Sequence, residues 1–262
     1  AVQMVLCGKL NKNLVTLLKN AGGKGVGISG MDGGLFEAVK LNDPDGTEYG
    51  YVGDIVKTNP QIVLDMLEKG YIPVVTCVAA GIDDTCNYNI NADTAAEKLA
   101  IALKAKKLIM LTDVRGLLRD PSDESTLIKR LKVSEVPSLV REGIIKGGMI
   151  PKVNCCVECV RQGVERANIQ DGRVPHSILI ELLTNEGVGT MFHKRQTQIH
   201  VKMQVPVRKR IRRGMCQSTR FCRENAGKSV DLPNQLPQEE RYDSGRDQEK
   251  RFRIYHAYIR TV

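Results

Sequence analysis

Asn89, Asn91 and Asp93 fall at alternate positions in the segment Tyr88-Asn89-Ile90-Asn91-Ala92-Asp93-Thr94-Ala95-Ala96, where a strand-like stretch runs into a helical one. Alternate residues of an extended chain share one face. Two amides and a carboxylate on one face could hold a polar substrate and orient a lysine or a metal beside a helix N-terminus, which itself favours phosphate. Simple capping of the helix by Asn91 and Asp93 explains the same residue types equally well, and the pattern alone leaves both readings open. A second candidate is Lys152, which follows Gly147-Gly148 at a predicted helix start. A lysine there can offset charge on a transferred phosphoryl group, although from the pattern alone a solvated surface lysine is the commoner reading. The third is Thr112-Asp113, at the end of a short, nearly unbroken apolar run, where open α/β sheets bind ligands beyond the carboxyl ends of their strands.

These residues need a scaffold that alternates strands and helices, and the sequence supplies one. MVLCG reads as a strand, NKNLVTLLKNAG as a helix, GVGISG as a strand, NPQIVLDMLEKG as a helix and YIPVVTCVAAG as a strand. NADTAAEKLAIALKA is predicted to be a helix capped by Asn91, followed by KKLIMLTDV as a buried strand and by the helices VSEVPSLVREG and IPKVNCCVECVRQG. That rhythm is βαβ. Between Gly33 and Gly53 the polar and apolar residues alternate around Asp43-Pro44-Asp45-Gly46, strong turn chemistry that predicts a β-hairpin excursion. Gly30, Gly33 and Gly34 are read as turn formers. The fold class is therefore α/β, an open three-layer αβα sandwich with a mainly parallel central sheet.

With 262 residues, 42% of them apolar, the chain can bury a sizeable core. It has no apolar run long enough to span a membrane and no secretory start, which points to a soluble intracellular protein. Cys155, Cys156 and Cys159 share one helical stretch and are expected as reduced, partly buried thiols. The net charge of +9 is unevenly placed: residues 1–192 carry 22 basic and 23 acidic side chains, residues 193–262 carry 17 and 7. Any argument from charge to nucleic acid therefore applies to the tail alone. That tail, 193–262, offers little with which to build a core and is expected to be largely disordered. Its Asn225-Ala226-Gly227-Lys228-Ser229 lacks the first glycine of a phosphate-binding loop, and Cys216 and Cys222 with His193 and His200 lack metal-site spacing. No metal site is assigned, and nucleic acid is not expected as a partner.

YNINADTAA, LLTDVRGLL and GGMIPKV, with MVLCGKLNKNLVTLL, GISGMDGGL, GYVGDI, GYIPVV and DGRVPHSILIELLTNEGVGTM, occur in an order and spacing that resembles the N-acetylglutamate kinases. The resemblance covers nearly all of residues 3–191, so the domain reading is a kinase domain over 1–192 and a basic, non-family tail over 193–262. It implies the amino-acid kinase sandwich and transfer of the γ-phosphoryl of ATP, with Mg²⁺, to the γ-carboxylate of N-acetyl-L-glutamate in arginine synthesis. It further implies that Asn89 contacts acetylglutamate with Asn91 beside it, that Asp93 organises the catalytic lysines, and that Lys152 touches phosphate. Thr112, Asp113, Gly116 and Leu117 would line the ATP site together with Lys152. His176, Glu186 and Gly187 resemble the stretch that holds feedback arginine in inhibited members.

The family also implies a homo-oligomer, a cytoplasmic or plastid-stromal location and, in some members, a PII signalling partner. Met31 stands where the family usually has lysine. The family's glycine-rich loop with a first phosphate lysine, its His-Gly-Gly-Gly turn and its substrate-gripping arginine have no counterpart in these residues. Each missing preorganised donor costs on the order of 10²–10³ in rate, which implies a poorly active chain. Two other readings remain: a catalytically impaired regulatory or nucleotide- and arginine-binding protein of the same family, and another amino-acid kinase such as one acting on aspartate, uridylate or carbamate.

Overall fold

The computed structural model describes residues 1–42, 46–183 and 187–194 and the backbone of 256–260. The chain opens with a π-helical stretch, Met4–Leu10, that runs on into α1, Asn11–Asn20. The strand expected over MVLCG is thus helical. No turn residue separates it from NKNLVTLL, and a helix already nucleated extends cheaply. Asn11 explains why α1 lies where it does: it is 1% exposed, and its amide donates to the Ile28 carbonyl at 3.2 Å and the Val74 carbonyl at 2.8 Å. Those carbonyls belong to β1, Gly25–Ser29, and to β4, Ile72–Thr76, which pair in parallel. Gly27 faces the same amide, and a Cβ there would fall 1.7 Å from Asn11 Oδ1.

Between these strands lie β2, Phe36–Asn42, β3, Glu48–Thr58, and α2, Gln61–Glu68. β2 and β3 form the expected antiparallel hairpin. The tip of its turn chemistry, Asp43-Pro44-Asp45, lies outside the described residues. The hairpin does not stand alone: with β5, Val78–Gly81, and β6, Asn87–Ile90, it closes into a four-stranded barrel. YIPVVTCVAAG, read as one strand, therefore breaks at Cys77. Its first half pairs with β1 and its second with β2 and β6.

The remaining elements are α3, Ala92–Ala102, β7, Lys107–Thr112, β8, Arg130–Lys132, α4, Val136–Arg141, α5, Met149–Arg161, β9, Arg166–Asp171, α6, Ser177–Leu183, and β10, Thr190–His193. A final strand, β11, His256–Arg260, joins them from the basic tail, of which residues 195–255 and 261–262 lie outside the described residues. The sheet order is β11-β7-β9-β10-β8, with only the β9–β10 pair antiparallel. Leu108, Met110, Ala167 and Ile169 on one face of β7 and β9 pack against Val153, Cys156 and Val160 of α5 and Ala96 and Ala100 of α3. α6 covers the other face. The result is the expected three-layer α/β sandwich, with parallel pairing in this sheet, in the separate β1–β4 pair and, between β2 and β5 and between β3 and β6, in the barrel.

The two faces of the sheet are built differently. Under α5 the contact is apolar, and burial pushes the thiols of Cys155, Cys156 and Cys159 upward, Cys155 to about 12. Under α6 it is polar: Lys107 and Glu181 form an ion pair at 2.8 Å, with side chains 8% and 6% exposed. Asn168 donates to the same Glu181 oxygen at 2.8 Å. A buried ion pair returns its desolvation cost only while both partners are present. Lys107→Met alone is therefore expected to lower the unfolding free energy by about 3–5 kcal/mol, and Lys107→Met/Glu181→Leu to recover most of it. Urea unfolding of the three proteins checks this; a single-variant loss below about 1 kcal/mol would mean the pair behaves as a surface one.

Candidate active site

β6 delivers its polar residues to the mouth of the barrel just before α3 begins. Tyr88 and Ile90 are buried, while Asn89 is half-buried and Asn91 exposed, as alternation requires. Asn89 lies opposite Val52 of β3 and Val78 of β5. The register of this strand is held from behind. Gly53 lets Tyr88 approach, since a Cβ at Gly53 would sit 2.6 Å from that of Tyr88. The Tyr88 hydroxyl donates to Asp84 Oδ2 at 2.5 Å. That bond holds the Asp84 carboxyl below its usual range and pushes the Tyr88 phenol up to about 12.

The two readings of Asn91 and Asp93 separate here. Asn91, at φ −58° and ψ 129°, caps α3: its side-chain oxygen accepts from Asp93 N at 2.9 Å and Thr94 N at 3.3 Å. Asp93 is 5% exposed and turns inward, its Oδ2 2.9 Å from the Lys152 amino group. Lys152 sits in the first turns of α5, after Gly147 has reversed the chain at φ +56°. Two residues 59 apart in sequence thus form a part-buried pair at the N-terminal ends of α3 and α5. One turn further along α3, Glu97 is buried beside Cys155, and desolvation raises its carboxyl.

Thr112 ends β7, and its hydroxyl closes a small turn with the amide and carbonyl of Val114 at 3.1 and 3.0 Å. Asp113 is exposed, and its carbonyl accepts from Arg173 at 2.5 Å. Arg173 also clasps Asp171, at the adjoining end of β9, through Nε and Nη2, and the guanidinium holds the Asp171 carboxyl low. Gly116 adopts φ +147°. Leu117, expected along a nucleotide, instead places its side chain in the hydrophobic core, 2% exposed. His176 is exposed at φ +59° and Gly187 turns at φ +62°, at opposite ends of α6. Glu186 lies outside the described residues. Asp84, Arg173 and Thr190 were not singled out from sequence, because each acts through a hydrogen bond that only the folded chain creates. Among the described residues no group of three or more His, Cys, Asp or Glu side chains is arranged to hold a metal.

The chain belongs to the amino acid kinase family, whose model matches residues 1–171. Its relatives there include the acetylglutamate kinase of Clostridium beijerinckii, 58% identical over 192 residues, which covers 73% of this chain and 67% of that one. Among solved structures, an N-acetylglutamate synthase from Neisseria gonorrhoeae complexed with coenzyme A and N-acetyl-glutamate is similar at TM-score 0.62 and 26% identity, over 72% of this chain and 42% of that one. A carbamate kinase from Giardia lamblia bound to AMP-PNP shares the fold at TM-score 0.52 and 16% identity, over 71% of this chain and 68% of that one.

Loss of the α3 cap should be measurable directly as a loss of stability. Asn91→Ala is expected to lower stability by about 1 kcal/mol, with Asn91→Ser nearly neutral. Thermal or urea unfolding decides it, and equal midpoints for wild type and Asn91→Ala would remove the capping role.

Proposed function

We propose that this chain transfers the γ-phosphoryl group of ATP to the γ-carboxylate of N-acetyl-L-glutamate, the acetylglutamate kinase reaction, which yields an acyl phosphate and ADP for arginine synthesis. The observation that carries the site assignment is the Asp93–Lys152 pair at 2.9 Å beside the Asn89 strand. Phosphoryl transfer asks little covalent chemistry of a protein. It asks for alignment of donor and acceptor and for positive charge beside the transferred oxygens. Lys152 supplies that charge from the N-terminal end of α5, where the positive end of the helix dipole adds to it. Asp93, 5% exposed and in the first turn of α3, fixes the direction of the ammonium group. Asn89, on the barrel strand leading into α3, is assigned to acetylglutamate. The backbone of the turn from Thr112 to Leu118 is assigned to the nucleotide, the core-facing Leu117 side chain excepted.

Mg²⁺ would travel with the nucleotide phosphates, which suits an ion that keeps several waters and needs only one or two carboxylates. It would add positive charge at those phosphates; Asp93 is already engaged by Lys152, and no residue here is assigned to the ion. The test is a coupled assay with ATP and N-acetylglutamate. Lys152→Ala should reduce turnover by on the order of 10²–10³, the scale for losing one preorganised donor to a transferred group. Asn89→Ala should chiefly raise KM for acetylglutamate. Turnover unchanged in Lys152→Ala would sink the assignment.

Copies of the chain associate, we infer, through α1. Leu10, Leu14 and Leu17 follow helical spacing and are 36%, 46% and 63% exposed, an apolar stripe of the kind that marks an interface. Leu14→Glu/Leu17→Glu should turn an oligomer into a monomer in sedimentation velocity; a wild-type chain that already sediments as a monomer refutes the inference.

A further inference from the structure

The segment Thr112–Leu118 turns sharply between β7 and the strand pairing of Leu118 with Leu127, and its backbone is pinned at both ends. At the entry, the Thr112 carbonyl accepts from Gly172 N at 2.9 Å, and the Asp113 carbonyl accepts from Arg173. At the exit, the Leu117 carbonyl accepts from Ile128 N at 2.8 Å. The Leu117 N–H points the other way. It donates to the hydroxyl of Thr190 at 2.8 Å, in a buried bond that joins residues 73 apart in sequence.

Thr190 opens β10 and is 0% exposed. Its position is set by β9, opposite Ile169 in the antiparallel register. Gly189 before it lies flat on that strand: a Cβ there would be 2.1 Å from the Ile169 carbonyl. The turn in its path has an equally tight seat. Gly116 adopts φ +147°, and a Cβ on it would lie 2.7 Å from Thr190 Oγ1 and 3.1 Å from Thr190 N. Gly116 and Thr190 therefore fit together as a pair. The glycine lets the backbone reach the threonine, and the threonine receives the amide that follows. An amide buried without an acceptor is costly, so the turn keeps this shape only while the hydroxyl is present.

We propose that Thr190 is a positioning residue for nucleotide binding: its hydroxyl, held rigidly by β9, sets the exit of the Thr112–Leu118 turn and with it the backbone that faces ATP. It touches no reacting atom. The proposal rests on the assignment of that turn to the nucleotide. Its consequence is selective, because the acetylglutamate strand β6 belongs to the barrel and has no part in the bond. A weakened turn should cost ATP affinity and leave acetylglutamate affinity in place.

The test uses the full chain with Thr190→Val, which keeps the shape and removes the acceptor, and Thr190→Ser, which keeps the acceptor. ATP and N-acetylglutamate binding are measured by calorimetry, and amide exchange is followed over 112–118 with and without ATP. Expected are an ATP Kd raised about tenfold in Thr190→Val, the scale for stranding one buried donor, an acetylglutamate Kd within about twofold of wild type, and near-complete rescue in Thr190→Ser. If Thr190→Val does not fold, Thr190→Ala carries the same expectation. ATP binding by Thr190→Val as tight as wild type, while ATP still protects 112–118 in the wild type, overturns the proposal. So does an equal loss for both ligands, which would make the bond merely structural. If ATP does not bind the wild type or does not protect 112–118, the nucleotide assignment fails first and takes the proposal with it.

Discussion

The contact on which the site depends is the one between Asp93 and Lys152. Each residue stands at the start of a helix whose flank forms the apolar core, so the pair is aligned by the packing of α3 against α5 rather than by its own attraction. Ala96 and Ala100 present small side chains to Val153, Cys156 and Val160, which lets the two helices approach. The short separation of ammonium and carboxylate follows from that approach. A part-buried pair in a seam of this kind is screened less than a surface pair, and the direction of the lysine is correspondingly fixed. Substitutions that enlarge the seam would therefore act on the site without touching either charge.

The opposite face of the sheet follows a different rule. Lys107, Asn168, Gln170, Ser177 and Glu181 are buried there, where Lys107 and Asn168 both reach Glu181 and Gln170 reaches Ser177. Gln170 meets Ser177 at 3.3 Å, and Glu181 Oε2 accepts from Val188 N at 3.4 Å, so the network that seats α6 also reaches the segment running into β10. Polar burial of this type specifies one arrangement at the expense of stability. Here it fixes where Gly189 and Thr190 lie on β9. The two faces divide the labour: the apolar one brings Asp93 to Lys152, and the polar one places the strand that supports the Thr112–Leu118 turn.

Much of this was legible in the sequence, and the exceptions share a cause. KKLIMLTDV, NADTAAEKLAIALKA and IPKVNCCVECVRQG formed the elements expected of them because periodicity and capping act locally. The hairpin was legible too, since turn residues fix its reversal. Its closure into a barrel was not, because that depends on where β5 leaves β4, and Cys77 carries no breaker signal. MVLCG failed for a related reason: five apolar residues suit a strand or a helix, and the decision lay with the helix that follows. Asp93 and Lys152, which the fold brings together at 2.9 Å, could be picked out by type and motif. Asp84, Arg173 and Thr190 stayed hidden, since a threonine at the start of a strand looks the same whether or not an amide 73 residues away depends on it.

Asn91 and Asp93 show how one helix start serves two demands. Both residue types cap helices well, and had Asp93 taken the cap its carboxylate would have been spent on backbone amides. Asn91 takes it instead, two residues earlier, with an oxygen that accepts two N–H groups, one of them from Asp93 itself. That leaves Asp93 in the first turn, where a negative charge is favoured by the helix dipole and the side chain crosses to Lys152 of α5. The cap and the Asp93–Lys152 pair are thus consecutive consequences of one choice of conformation at Asn91: extended at ψ 129°, it ends the β6 strand, starts α3 and turns Asp93 toward Lys152. The spacing of alternate polar residues thus provides a helix cap at Asn91 and an ion pair at Asp93, shared between neighbours.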